Sequence, residues 1–266
     1  MPPLLDKGRL MTYYCSFFSG SSGNCSIFVH NDCRMLIDAG GTAKSICACL
    51  GRLSLTPSDL THILITHGHR DHVSALPVLL KRTRAAVICS QEAYADIAYI
   101  GTRARRFYPG ESFELGGVTV RTFETPHDAA GSCGYVLCGG EASLAYCTDL
   151  GTVSTDILDA LRGCALTVIE SNHDTDMLRL GSYPYFLKQR ILSDRGHLSN
   201  AMCARVVAKL AESGCRRFIL AHLSHENNTP QKALEASRQA LLAAGLAEGV
   251  TLTAAHRFEM GEPVIF

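Results

Sequence analysis

The chain has 266 residues, and its 47% apolar content is enough to build the buried core of one or two domains. The 25 Lys and Arg residues equal the 25 Asp and Glu residues in number, which excludes a globally cationic protein that attracts nucleic acid or an anionic membrane through its net charge. Any polyanionic partner must therefore be held locally, and the 11 His and 12 Cys residues direct attention to metal binding.

Short strands and helices alternate along the first hundred residues. Strands are predicted at residues 13–18, 25–30, 34–37, 62–65 and 87–89, and helices at residues 42–50, 73–82 and 91–100. A turn rich in Ser and Gly, at residues 19–24, separates the first two strands. A His-rich loop follows the strand at residues 62–65 and leads directly into a helix.

The remainder of the chain continues this mixture of elements. Strands are predicted at residues 112–115, 118–124, 135–138, 143–147, 166–169, 217–220 and 250–253, and helices at residues 155–161, 200–213 and 231–242. Such interleaving predicts an α/β (α+β) fold in which two mixed β-sheets pack together with helices outside. No linker divides the chain, so we predict one domain over residues 13–266 and assign no role to the extension at residues 1–12.

The twelve cysteines include no C-x-x-C pair, which argues against a zinc ribbon or a dithiol redox motif. Residues 1–11 lack the apolar segment of a secretory signal peptide and include Asp6. No apolar run reaches the roughly 18 residues that a membrane-spanning helix needs. We therefore expect a cytoplasmic protein with reduced thiols and no membrane partner.

The strongest motif is the loop HGHRDH at residues 67–72, which follows a predicted strand. Four potential metal ligands lie within six residues, and a loop at a strand end can direct His67 and His69 to one ion and Asp71 and His72 to a second. Imidazole and carboxylate ligands suit Zn, Mn or Fe, and the sequence does not select among them. We expect two divalent metal ions at this loop.

Further ligands are expected where later strands end. His127, Asp149 and His222 each stand just after a predicted strand. A carboxylate at Asp149 could bridge two ions about 3.5–4 Å apart, the spacing of two-metal hydrolytic sites. Taken singly, the three residues also have ordinary structural interpretations, as a turn residue, an acid at a helix start and a core histidine.

These motifs, in this order, resemble those of the metallo-β-lactamase fold, and the similarity extends from about Tyr13 to Phe266. Further motifs resemble, within that superfamily, the YycJ/WalJ group, bacterial proteins described as DNA exonucleases. They are SGSSGN at residues 19–24, LIDAG at 36–40, ESNHD at 170–174, GHLSN at 196–200 and HLSHENN at 222–228. The resemblance implies an αββα sandwich that degrades DNA, single-stranded or from a 5′ end, in the 5′-to-3′ direction.

The same resemblance implies a complete set of metal ligands. The ligands are His67, His69 and His127 for one ion, Asp71, His72 and His222 for the other, and Asp149 as the bridge. Asp38 matches a family position that supports the site without binding metal. The chain is too short to hold the large nucleic-acid-clamping domain of the RNase J branch, so the core and its loops must hold the substrate.

Two such ions lower the pKa of a shared water and provide the hydroxide that attacks a phosphoryl or carbonyl group. Phosphodiester cleavage also needs an acid that protonates the leaving oxygen. His197 resembles the proton donor of phosphodiesterases such as RNase Z, and Glu170 or Asp174 could orient it. The alternative is a structural His near a helix start that Ser199 or Asn200 caps. The predicted catalytic residues are Asp71, Glu170 and His197.

Substrate contacts are predicted in the turn at Ser21, Ser22 and Asn24, because its N–H groups and hydroxyls can approach an anion closely. Hairpin turns use the same residue types for conformational reasons alone. His173 and His225 could contact substrate or support the ligands. Basic stretches at residues 103–108 and 188–195 could track a nucleic-acid backbone or be solvated faces.

We therefore predict a metal-dependent phosphodiesterase that acts as a 5′-to-3′ DNA exonuclease. Two alternatives remain open. One is hydrolysis of a small ester, thioester, lactam or cyclic phosphodiester at the same site, and the other is a non-catalytic, metal-stabilised accessory protein. A proton donor beside the metals favours the phosphodiesterase, since acyl substrates need no such acid when the metal takes the leaving group.

Overall fold

The computed structural model describes residues 12–266 of the chain. The predicted extension at residues 1–12 lies outside the described residues, except for Thr12, which begins the first strand. From Thr12 onward, no helix combines the length and the apolar composition needed to cross a membrane.

The strands are numbered in chain order. They are β1 (Thr12–Phe18), β2 (Cys25–His30), β3 (Cys33–Ile37), β4 (His62–Leu64), β5 (Ala86–Ser90), β6 (Ala104–Phe107), β7 (Ser112–Leu115), β8 (Val118–Glu124), β9 (Cys133–Gly139), β10 (Ala142–Cys147), β11 (Leu166–Glu170), β12 (Arg217–Ala221), β13 (Thr251–Ala254) and β14 (Val264–Ile265). Across residues 12–266 they form two seven-stranded sheets, ordered β14-β1-β2-β3-β4-β5-β6 and β13-β12-β11-β10-β9-β8-β7. Each sheet is mixed, with β3 to β6 parallel in the first and β10 to β13 parallel in the second.

The helices lie outside the two sheets. They are α1 (Ala43–Arg52), α2 (Arg70–Val73), α3 (Leu76–Leu79), α4 (Thr155–Leu161), α5 (Thr175–Leu180), α6 (Tyr185–Leu192), α7 (Asn200–Glu212) and α8 (Pro230–Ala243). Two 3-10 segments, Pro57–Asp59 and Ala93–Arg103, complete the described helical structure.

Alternation of side chains along the strands explains the layers. In β3, Met35 and Ile37 enter a core between the two sheets, whereas Leu36 enters a second core under the outer helices. A third core lies on the outer face of the second sheet and includes Leu210 of α7 and Leu241 of α8. Both faces of the sheets are therefore covered, and the predicted αββα fold of two mixed sheets flanked by helices is confirmed.

The predicted helix at residues 73–82 is wrong in its extent, because the chain forms the single turns α2 and α3 there. Pro77 has no N–H to donate and is tolerated only in the first turn of a helix, which is where it lies in α3. The predicted helix at residues 91–100 is instead the 3-10 segment, with non-helical backbone at Ile97 and Gly101.

The sequence patterns missed α5 and α6. Both helices are short and contribute a single buried side chain each, Leu178 and Ile191, so their apolar periodicity is weak. They begin at residues with recognisable roles, since Asp174 accepts a hydrogen bond from the N–H of Met177 and Pro184 precedes the first turn of α6.

Candidate metal centre

Six of the seven predicted ligands follow strands that have parallel neighbours. The loop after β4 carries residues 67–72, and the loops after β10 and β12 carry Asp149 and His222. His127 follows β8. Ligand atoms of His67, His69 and His127 lie within 4.8 Å of one another, and the same holds for Asp71, His72 and His222 and for His67, His72 and Asp149. The structure thus brings all seven predicted ligands together.

Three of the imidazoles are held by their outward nitrogen. Nδ1 of His72 lies 2.8 Å from Asp38, Nδ1 of His222 lies 2.7 Å from Glu170, and Nδ1 of His127 lies 3.2 Å from the carbonyl oxygen of Gly196. Each acceptor takes a hydrogen bond from Nδ1 and so directs the other ring nitrogen, Nε2, toward the cluster. Such outer partners orient metal-binding imidazoles, and Asp38, predicted to support the site, is the partner of His72.

Buried polar atoms without partners test whether these residues fit metal ions. Nε2 of His67, Nε2 of His222 and Oδ2 of Asp149 are buried, and none has a hydrogen-bond partner among the described residues. Buried polar groups normally have hydrogen-bond partners. Two buried ring nitrogens and one carboxylate oxygen without such partners, in a single cluster, fit the binding of divalent cations. Burial also lowers the pKa of His67 well below its ordinary value, which keeps the ring in the neutral form that binds metal.

Asp149 lies between the two groups of ligands, because one of its carboxylate oxygens is within 4.8 Å of ligand nitrogens of His67 in the first group and of His72 in the second. Its Oδ2 lies 3.4 Å from Nε2 of His72, and its Oδ1 lies 3.4 Å from Nδ1 of His222. The backbone of Asp38, Asp149 and His222 is left-handed, with φ of 61°, 60° and 55°. Non-glycine residues rarely adopt this conformation, and its concentration at one site is typical of functional centres.

Asn24, predicted to contact substrate, instead touches two predicted ligands. Its Nδ2 lies 3.0 Å from Nε2 of His72 and 3.3 Å from Oδ2 of Asp71, and it also lies 3.1 Å from the carbonyl oxygen of Gly20. The Asn24 side chain is fully buried, so it contacts these two ligands from the protein interior. Although burial alone would raise the pKa of Asp71, contacts with His222 and His72 hold it below its usual range.

His197 adjoins the cluster and is bound to a buried carboxylate. Its Nδ1 lies 2.8 Å from Oε1 of Glu170, while Oε2 of Glu170 accepts hydrogen bonds from the N–H groups of Leu150 and Leu198. Burial acts to lower the pKa of His197, but the Glu170 carboxylate outweighs it and raises that pKa above its ordinary value. Ser199 does cap α7, as the structural alternative proposed, yet the His197 ring still faces the cluster, 5.2 Å from the His222 ring.

The other candidate partner of His197 lies elsewhere. Asp174 caps α5 and lies 3.2 Å from Nζ of Lys232, so Glu170 is the residue that contacts His197. His173 is buried, and neither ring nitrogen has a hydrogen-bond partner within residues 12–266. His225 is exposed and lies 2.9 Å from Glu226.

A cavity of about 180 Å³ opens beside His197 and His222. Ser21 and Ser22 are both exposed in the Ser/Gly turn, and Ser21 is the one that lines the cavity. The basic stretch at residues 103–108 has structural contacts instead. Arg105 lies over the ring of Phe113 and Arg106 over the ring of Tyr94, at 4.6 and 4.8 Å.

Asp128 is a site residue that the sequence patterns did not assign. Its Oδ1 lies 3.3 Å from Nε2 of His127 and 3.8 Å from Nε2 of His69, and its Oδ2 pairs with Arg190 of α6. Its position directly after His127 was the only signal in the sequence. The pair with Arg190 links the His127 loop to the wall of the cavity.

Comparison with known proteins places this geometry in a family. The Beta-lactamase superfamily domain matches residues 34–223. The chain is 34% identical over 236 residues to exodeoxyribonuclease YycJ of Bacillus anthracis, covering 87% of this chain and 89% of that protein. It is 33% identical over 244 residues to exodeoxyribonuclease WalJ of Streptococcus pneumoniae, covering 89% and 91%. The fold is similar to the metallo-β-lactamase fold protein YhfI of Bacillus subtilis, with a TM-score of 0.73 and 16% identity over 97% of this chain and all of that one.

Proposed function

The chain belongs to the metallo-β-lactamase superfamily and, within it, to the group of the YycJ and WalJ exodeoxyribonucleases, and from this we propose that this metal-dependent hydrolase cleaves phosphodiester bonds in DNA. The observation that carries the proposal is the contact between His197 and Glu170 beside the ligand cluster. A hydrolase that expels an alkoxide needs a proton donor of this kind, and metal ligands alone do not supply one.

Seven residues would hold the ions, with Asp38 fixing His72 and Glu170 fixing His222 from outside. When bound, the two divalent ions supply the activation of the attacking water and stabilise negative charge on the phosphoryl oxygens. The ligands are His67, His69, Asp71, His72, His127, Asp149 and His222. Zn, Mn and Fe all suit this donor set.

His197 is the proposed proton donor to the leaving oxygen. Because its Nδ1 is bound by Glu170, the second ring nitrogen, Nε2, is the atom that gives up the proton. As water adds to phosphorus and the bond to the leaving oxygen breaks, that oxygen takes the proton from Nε2. Glu170 stabilises the imidazolium form beforehand and holds the ring in place.

DNA as the substrate and removal of nucleotides from the 5′ end are further parts of the proposal. Both rest on the printed activity of the relatives, exodeoxyribonucleases, and on the group they represent. The proposed catalytic domain comprises residues 13–266. Twelve unpaired cysteines fit a reducing compartment, so we place the protein in the cytoplasm.

The test uses labelled oligodeoxynucleotides, single-stranded and duplex, with the purified protein in Mn²⁺ or Zn²⁺. We expect stepwise loss of nucleotides from the 5′ end, and no loss after Asp71→Ala or His72→Ala. Full nuclease activity in both variants would contradict the proposal. Turnover of a thioester or a lactam by a protein inert on DNA would favour the small-substrate alternative, and a metal-loaded protein inert on every substrate would favour the accessory role.

His197→Ala separates proton donation from metal binding. It should keep the bound metal and slow DNA cleavage by roughly 10²–10⁴-fold. Cleavage of bis(p-nitrophenyl) phosphate should slow far less, because its leaving group needs no proton. Loss of metal with the substitution would show that His197 acts as a ligand or a structural residue instead.

A further inference from the structure

We propose that Phe186, Arg257 and Phe258 form a binding site for the part of a DNA strand that extends out of the catalytic cavity. The bases would stack on the two rings, and a backbone phosphate would pair with the guanidinium. The inference rests on the proposed function and adds the residues that hold the substrate, which the balanced net charge requires to be local.

The small size of the cavity leaves most of a bound strand outside it. Its volume of about 180 Å³ is below the range of about 300–1,000 Å³ that encloses most small ligands. His197 and His222 line the cavity, so a strand that places one phosphate beside them must leave its neighbouring nucleotides outside. Those nucleotides meet whatever side chains surround the opening.

Helix α6 contributes the first ring. Leu187, Arg190 and Ile191 line the cavity, and Phe186 lies one turn before Arg190, next to that face. The Phe186 side chain is nevertheless 74% exposed, whereas most aromatic residues of the described chain, such as Phe17 and Phe28, are buried in the cores. A large ring kept in water beside a catalytic opening is suited to stacking on a base.

The loop between β13 and β14 contributes the second ring and the positive charge. Nη2 of Arg257 lies 3.3 Å from the carbonyl oxygen of Leu223, the neighbour of the cavity residue Ser224. The N–H of Ser19 donates to the carbonyl oxygen of His256, which fixes this loop against the Ser/Gly turn. Phe258 is 69% exposed, and the Arg257 guanidinium lies 5.7 Å from the centre of its ring.

Arg257 has hydrogen-bonding capacity to spare. A guanidinium has five N–H donors, and a single hydrogen bond, to Leu223, is found for Arg257 within residues 12–266. Phosphates and bases alternate along a nucleic-acid strand. A planar cation with free donors can pair with a phosphate while the exposed ring beside it stacks on a base.

The test measures KM and kcat for a 3′-labelled twelve-residue oligothymidylate in Mn²⁺. Phe186→Ala and Phe258→Ala should each raise KM by about 5- to 150-fold, the loss expected for one stacked base. Arg257→Ala should also raise KM, and should reduce the slope of log KM against log salt concentration by about 0.7, the value for one phosphate contact on a single strand. A purely structural role of Arg257 would not change that slope.

Leu242→Ala and Arg238→Ala are the matched controls. Both side chains are exposed on α8. Leu242 lies in the last turn of that helix, about 18 Å along its axis from the first residue, Pro230. Each control should leave KM unchanged. If both phenylalanine variants cleave DNA with the KM of the wild-type protein, this inference is wrong and the proposed function stands. Absence of DNA cleavage by the wild-type protein with any metal would overturn the proposed function and this inference together.

Discussion

One carboxylate oxygen of Glu170 lies 2.8 Å from Nδ1 of His197. The same oxygen lies 2.7 Å from Nδ1 of His222, so the proposed proton donor and a proposed metal ligand share one buried acceptor. Burial alone would raise the pKa of Glu170, but the two imidazoles lower it well below its ordinary value and keep the group ionised. The proposed proton transfer and the proposed metal binding would therefore be coupled through Glu170.

Glu170→Gln should weaken both functions of this carboxylate. Removing the charge from the partner of His222 should lower metal affinity by about 10–100-fold, the usual cost of altering an outer-sphere partner. With metal restored to saturation, cleavage of DNA should still be slower than in the wild type, because His197 loses the charge that stabilises its protonated form. Metal titration and turnover of the labelled strand measure the two effects separately. Wild-type turnover at saturating metal would contradict the role given to Glu170.

Asp38→Asn should fold normally and bind metal about 10–100-fold more weakly. Asp38 is fully buried, accepts from the N–H and hydroxyl of Thr66, and holds Nδ1 of His72. Its φ of 61° suits Asn, which tolerates left-handed backbone. Asp38→Ala also leaves those partners unsatisfied, so its free energy of unfolding should fall by a further 1–3 kcal/mol or so. Equal metal affinity in Asp38→Asn and wild type would contradict this prediction.

The strands and the ligand loop could be predicted because both depend on patterns within short stretches of the sequence. Period-two alternation marks β8, whereas β10 is an almost continuously apolar run, and the HGHRDH loop stands directly after β4. The division of residues 73–82 into α2 and α3 was also accessible, since Pro77 is visible in the sequence. The prediction of one continuous helix followed the apolar periodicity and gave too little weight to this proline.

The roles of Asn24 and Arg257 could not be predicted in this way. Asn24 meets Asp71 and His72 only because the β1–β2 turn folds over the β4 loop, and Arg257 meets Leu223 across 34 residues of chain. Such contacts depend on tertiary packing and leave no mark in local periodicity. The Ser/Gly turn kept two interpretations, an anion site and a turn chosen for its conformation, because its residue types suit both uses.

Gly40→Ala should disrupt the metal centre. A Cβ at this position would stand 1.8 Å from the carbonyl oxygen of Asp71 and 2.6 Å from the backbone nitrogen of Asn24. The loop that carries Asp71 would have to move, so we expect loss of metal and a free energy of unfolding lower by about 1–3 kcal/mol or more. Elemental analysis and denaturant titration measure these effects.

Gly51→Ala is the matched control for that substitution. Gly51 lies in α1, and an added Cβ would have nothing within 4 Å. It should bind metal as the wild type does and gain about 0.5–1 kcal/mol of stability, because Ala loses less backbone entropy in a helix than Gly. A Gly40→Ala protein with full metal content would show that the loop yields without disturbing the ligands.

Alkylation of the cysteines should leave the metal centre intact. Burial raises the pKa of Cys15, Cys164 and Cys203 to about 12, so at pH 8 these thiols are protonated and unreactive. Cys47 and Cys138 are partly exposed, so iodoacetamide should label them first in the native protein. Peptide mapping by mass spectrometry identifies the sites, and raising the pH to 9 should leave the three buried thiols unlabelled. Loss of metal when only Cys47 and Cys138 carry label would contradict a centre built from His and Asp.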